Sequence, residues 1–166
     1  MPENALHNLV GTAGEYFVCA EPCRQGYLAL LTPKNNPLFD IVVTNPKGTA
    51  AISIQVKTRS VNNTQGWKFG GQKNPSDSPG TAFTVLVKLH DGILPVFYVY
   101  RYCELTKRVD ELFREYISKP KRNGEARKDP GFRWFDDRFF TDDDHARKNN
   151  WQPILQVLEE SKKTFQ

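Results

Sequence analysis

The chain has 166 residues, enough for one domain and for an apolar core that needs no disulfide or metal to hold it. Its 39% hydrophobic, 25% charged and 12% aromatic composition excludes a disordered chain, and no apolar run approaches the ~20 residues of a membrane-spanning helix. The net charge of +4 admits a polyanionic partner without requiring one.

Residues 4–25 carry Leu6, Leu9, Val10, Ala13, Phe17 and Ala20 at helical spacing, with Asn4 as a cap and Gly26 as the stop. Pro22 predicts a bend or partial break in that helix. The run 27–32 reads as a short strand, and PKNNP as a turn. FDIVVT, the turn Asn45–Gly48 and TAAISIQVKTR then form a hairpin.

A four-residue loop over 45–48 sets Thr44 opposite Thr49, Ile41 opposite Ile52, and Asp40 opposite Ser53. Phe39, Ile41, Ile52 and Ile54 then share an apolar face. Asp40, Gln55 and Lys57 share the other, with Gln55 diagonal to Asp40 at roughly 7–8 Å.

Residues 60–81 read as a long loop around Trp67, Lys68 and Phe69, a length that marks a functional or mobile segment. Strands follow over 82–89 and 95–101, joined by a His-Asp-Gly turn, and then a helix over 105–117. The connection 118–131 is basic and rich in turn residues. Residues 133–140 read as an aromatic strand or extended run, Asp142–Asp144 as the start of a turn or cap, and 151–163 as a C-terminal helix. One helix, about five strands and further helices predict an α/β (α+β) domain with a central mixed sheet flanked by helices.

The three cysteines, Cys19, Cys23 and Cys103, form no CxxC pair, so they predict buried small apolar residues in a reducing compartment. The N-terminus lacks the basic and apolar regions of a signal peptide, which predicts a cytoplasmic protein. His7, His90 and His145 are scattered and read as surface or turn residues.

A helical acid (Glu15, after Gly14), a strand Asp (Asp40) and an amide-x-Lys (Gln55-Val56-Lys57) on the partner strand resemble the PD-(D/E)xK nuclease superfamily. The runs GTAGEYFVCAEPCRQGY, FDIVV, IQVKT and FTVLVKL…VFYVY are similar to small stand-alone members related to Holliday-junction resolvases and methyl-directed restriction enzymes. The tail RWFDDRFF…NNWQPIL resembles the ends of other members of that group. The resemblance covers most of residues 6–101. It implies a single nuclease-like domain over 1–166, with a restriction-endonuclease-like core over about 5–101 and a helical, basic extension over 102–166.

It also implies a DNA-cutting hydrolase that uses Mg2+ or Mn2+, held by Asp40, Gln55, the Val56 carbonyl and Glu15, with Lys57 beside the attacking water or the scissile phosphate. A hard divalent ion takes oxygen ligands, polarises phosphate and acidifies bound water, and an ammonium on the same face stabilises developing charge. Gln55 stands where this superfamily usually has an acid, which lowers the negative charge of the site. The implied partner is DNA, branched or modified DNA included, with a homodimer for double-strand cutting. The alternatives are an inactive nucleic-acid- or protein-binding module of the same fold, and a nuclease for RNA or branched DNA.

Further contacts to nucleic acid fall to Arg59 beside the lysine, to Trp67 and Lys68, and to the basic loop with Lys121 and Arg122. Each residue also has a structural reading. Asp40 could start a strand after a turn, Gln55 and Lys57 could lie on an exposed face, Glu15 could be a surface acid, and Trp67 could pack over the sheet.

Overall fold

The computed structural model describes residues 3–33, 38–71 and 79–160. It is a mixed α/β domain. The first helix, α1, spans Glu3–Arg24, and Pro22 does not break it because it sits in the last turn, where only one helical bond is lost. Gly26, at φ +86°, turns the chain left-handed, and the Tyr27 N–H returns to the Pro22 carbonyl at 3.0 Å.

Three strands follow as an antiparallel meander: β1 (Leu28–Leu31), β2 (Ile41–Thr44) and β3 (Ala51–Arg59). A short strand, β4 (Trp67–Gly70), lies inside the segment expected to be loop. Then come β5 (Ala82–His90), β6 (Ile93–Arg101) and α2 (Tyr102–Ser118). The chain continues through β7 (Phe132–Phe135), a 3-10 turn over Asp137–Phe139, α3 (Asp142–Ala146) and α4 (Gln152–Glu160). The main sheet runs β1-β2-β3-β5-β6, with β3 and β5 parallel and the other neighbours antiparallel. β4 and β7 pair separately as a two-stranded ribbon.

Period-two alternation decides what each face of the sheet meets. Ile52, Ile54 and Val56 of β3 join Phe83, Val85, Val87 and Val99 in a core closed by Val18 of α1 and Ile154 and Leu158 of α4. Among the described residues, the opposite face is covered over β5, β6 and the end of β3. There Leu86, Tyr98 and Tyr100 meet Leu105 and Val109 of α2 and Trp67 and Phe135 of the ribbon. The segment after residue 101 thus closes both cores rather than decorating one.

Four expectations change. The extended run 133–140 is a four-residue strand followed by a 3-10 turn, because Asp136 accepts the Arg138 N–H and bends the chain there. Cys23 is exposed in the last turn of α1, one turn beyond Cys19, which packs against the core. The helix expected to start with an Asn4 cap begins at Glu3, which puts Asn4 inside its first turn; the expected last turn of the C-terminal helix beyond Glu160, the side chains of Asn4 and His7, part of the PKNNP turn and residues 72–78 lie outside the described residues.

The hairpin register is the fourth. Ile41 pairs with Ile54 and Val43 with Ile52, two residues away from the expected alignment. Asn45 is the cause. Its backbone extends the ladder (N–H to the Ala50 carbonyl, 3.2 Å), and its side-chain oxygen takes the Thr49 N–H at 2.9 Å. The loop therefore begins one residue later, at Pro46. A shift of two preserves which residues share a face.

Candidate functional site

The shifted register carries Asp40 from opposite Ser53 to beside Gln55. The β2–β3 ladder stops at Ile41, where the last backbone bond is from the Asp40 N–H to the Ile54 carbonyl at 2.9 Å. The next β3 donor on that edge, the Val56 N–H, has lost its strand partner. Asp40 replaces it: its Oδ2 accepts from Val56 N at 2.6 Å, a short charge-assisted bond that fixes the carboxylate. Thr32 holds the backbone behind it, donating from Oγ1 to the Phe39 carbonyl at 2.9 Å. Asp40 is half-buried, so the sheet edge holds an acid that stays accessible.

Gln55 and Lys57 stand on the same face, half-buried, in register with Thr84 and Leu86 of β5. Both line an open cleft of about 440 Å³, counting the space that merges with solvent. Its other walls are Phe69, Gly70 and Gly71 at the end of β4, Tyr102, Thr106 and Asp110 on α2, and Arg133 on β7. Sequence reasoning missed Thr84, Asp110 and Arg133. Thr84 is the polar residue in the buried run 83–87 of β5, and Tyr102, Thr106 and Asp110 recur at i, i+4 beside the buried stripe of α2. Those are the signals that could have found them.

Arg133 is buried between two acids. Its guanidinium reaches Asp129 at 2.8 Å and lies 3.4 Å over the Phe113 ring, while its Nε, 3.9 Å from Asp110, makes no hydrogen bond.

Glu15 follows Gly14 on α1, which packs against the other face of the sheet. The approach is so close that a Cβ on Gly14 would sit 1.8 Å from Thr58 Oγ1, so only glycine fits there. The structure thus holds the Asp40 carboxylate at Val56, the residue between Gln55 and Lys57 on β3, and sets Glu15 on the helix across the sheet. Among the described residues, no three or more His, Cys, Asp and Glu side chains cluster together. The Asp142–Asp144 run opens α3, with Thr141 and Asp144 forming a reciprocal capping box.

Two expected nucleic-acid contacts are corrected. Arg59 is 4% exposed and Trp67 is 1% exposed. The Arg59 guanidinium lies 4.3 Å from the Trp67 ring centroid and pairs with Asp137, while Trp67 Nε1 donates to the Val87 carbonyl at 2.9 Å. Neither ring face nor guanidinium is left for a base or a phosphate. The reason lies in the sheet: Arg59 pairs directly with Lys88 across β3–β5, two like charges that Asp137 neutralises together, with Lys88 Nζ 2.7 Å away. Of the other expected nucleic-acid residues, Lys68 is exposed, Lys121 pairs with Glu125 at 3.0 Å, and Arg122 is exposed.

Burial raises the Asp137 pKa, but the Lys88 hydrogen bond and the charges of Arg59 and Lys88 outweigh it and hold the carboxyl below its ordinary value. A lowered folded-state pKa adds stability above the unfolded value, near pH 4, and loses it as the pH falls through the folded value. Unfolding free energy measured against pH should therefore fall on the acid side, below the ordinary carboxylate range. Asp137→Asn should flatten that limb while lowering stability at neutral pH; an acid limb as steep as in the parent would contradict this.

Among the described residues, no helix is long and apolar enough to cross a membrane. No protein-family model matches the chain, and no curated protein sequence matches it. Among solved structures, the bacterial homing endonuclease I-Ssp6803I is similar at a TM-score of 0.49 and 15% identity, over 95% of this chain and 98% of that one.

Proposed function

We propose that this chain is a metal-dependent endonuclease that hydrolyses DNA phosphodiester bonds. One observation carries the reading: Asp40, locked by the Val56 N–H where β2 ends, stands beside Gln55 on the face whose Lys57 opens into the cleft. That arrangement agrees with the PD-(D/E)xK pattern of the sequence and with a restriction-endonuclease-like core.

The donors suit a hard cation. Asp40 offers carboxylate oxygen, Gln55 an amide oxygen and Val56 a backbone carbonyl, with Glu15 the remaining carboxylate of the proposed set. Mg2+ and Mn2+ accept few protein oxygens and complete their shell with water and phosphate. Bound there, the ion would supply an acidified water and a polarised phosphate. The protein's own part is orientation and charge. The Val56 N–H holds one carboxylate oxygen of Asp40, which leaves the other to face a ligand. Lys57 stabilises the charge that builds on the phosphate oxygens.

Cutting both strands takes two sites, so a homodimer belongs to the reading, as does a cytoplasmic setting where DNA is found. Gln55, with no acid in its place, favours a second reading: a module of the same fold that binds nucleic acid without cutting it.

Incubating pure protein with plasmid, duplex, junction, single-stranded and RNA substrates, with and without Mg2+ or Mn2+, separates the two. The nuclease reading expects cutting that requires the ion and favours DNA. Tight binding with no cutting under any ion would sink it and leave the binding module.

A further inference from the structure

We propose that the outer face of the β4–β7 ribbon stacks the bases of an unpaired DNA segment leading into the cleft beside Lys57. This deepens the nuclease reading and rests on it for the direction of the strand, but other residues carry it.

The ribbon pairs Lys68 with Trp134 and Gly70 with Phe132. Alternation turns Trp67 and Phe135 inward, where both are buried, and puts the exposed Lys68 and the half-buried Phe132 and Trp134 on the other side. The ribbon already fills the core with its inner rings, so the outer pair is not needed to hold it to the domain. Phe132 and Trp134 meet edge to face at 6.1 Å, and Lys68 Nζ lies 4.5 Å from the Phe132 centroid and 6.0 Å from that of Trp134. Across the strand from Phe132 is Gly70, where a Cβ would meet nothing within 4 Å, so no side chain there covers the ring. Gly70 and Gly71 also line the cleft with Gln55 and Lys57. The aromatic surface therefore begins at the cleft mouth.

Charge identifies the occupant. Lys68, together with Arg122 and Lys128 on the loop that leads into β7, is exposed and forms no ion pair among the described residues. Adjacent rings with cations around them are the means by which proteins hold single strands: each base offers a stacking face and each phosphate a charge. A duplex keeps its base faces stacked internally and cannot use the rings, so the segment that fits is unpaired.

The test measures fluorescence anisotropy of a labelled oligothymidylate and of a hairpin duplex, at matched salt and in EDTA, so that no cutting intervenes. Trp134→Ala and Phe132→Leu should each weaken single-strand binding about 5- to 100-fold. Duplex binding should change less than about 2-fold, and Trp134→Phe, which keeps a ring, should retain most of the affinity. Thermal melting checks that each variant folds, and Phe132→Leu, close in volume, serves if Trp134→Ala does not. Equal losses on both probes, no loss on either, or no single-strand binding by the parent overturns the platform. Cutting by the parent with unchanged variant affinities defeats the platform alone, whereas affinity losses in a protein that never cuts defeat only the nuclease reading.

Discussion

Asp40→Asn should lower metal-dependent DNA cutting by at least about 10²–10³-fold while leaving the fold intact. The substitution isolates charge from architecture. The Asp40 carboxylate does two things at once: it accepts the Val56 N–H at 2.6 Å, and it supplies the anionic oxygen of the proposed ion site. An asparagine oxygen can still accept from Val56, so the end of β2 stays closed, but it brings no negative charge to a cation. Asp40→Ala removes both and should also cost roughly 1–3 kcal/mol of stability, because a strand N–H loses its acceptor. Lys57→Met should reduce cutting to a similar degree, since its stem is kept and the ammonium is lost. Rates from single-turnover cutting and melts on the same preparations decide the matter. Cutting by Asp40→Asn at the parent rate, with the fold retained, would remove Asp40 from the ion site.

Arg59→Met should destabilise the protein by about 3 kcal/mol, near the lower end of what breaking a buried ion pair costs. For a chain of this length that corresponds to a fall of roughly 6–12 °C in melting temperature. The loss arises because Asp136, 3% exposed, and Asp137 would keep their charges in a site the guanidinium had matched. Arg138 still reaches Asp136 at 2.8 Å and Lys88 still reaches Asp137, which sets the figure at the low end. Lys88→Met is the internal comparison. Its partner is shared and its side chain is 32% exposed, so it should cost about 1 kcal/mol or less. The salt dependence of DNA binding separates this role from a grip on phosphate. Removing a cation that grips phosphate would reduce the slope by about one counterion with little change in stability. Arg59→Met should do the reverse, and a changed slope with an unchanged melt would return Arg59 to the nucleic-acid interface.

Trp67 and Lys68 show what a local reading leaves open. The segment Gly66–Gly70 reads as an aromatic and basic stretch. Which of its side chains faces out depends on pairing with β7, about 65 positions away in the chain, and nothing local reveals that pairing. The ribbon turns Trp67 to the core and brings Trp134 and Phe132 beside Lys68.

The sequence by itself determined most of the elements and the sharing of faces along β3. Alternation in ISIQVKTR separates Ile52, Ile54 and Val56 from Ser53, Gln55 and Lys57, and steric period alone enforces that split. It therefore survived a register error of two residues. Only the tertiary structure decided the rest. Asn45 moved the loop by bonding its own side chain into it, which set Asp40 beside Gln55. The parallel pairing of β3 with β5 set Arg59 against Lys88, and the like charges drew in Asp137 and buried the arginine. The cleft has walls from β3, β5, α2 and the ribbon, elements joined by long-range packing rather than by neighbouring residues. Chain-local physics fixes which way a side chain points from its own strand; what it meets there is settled by segments that only folding brings near.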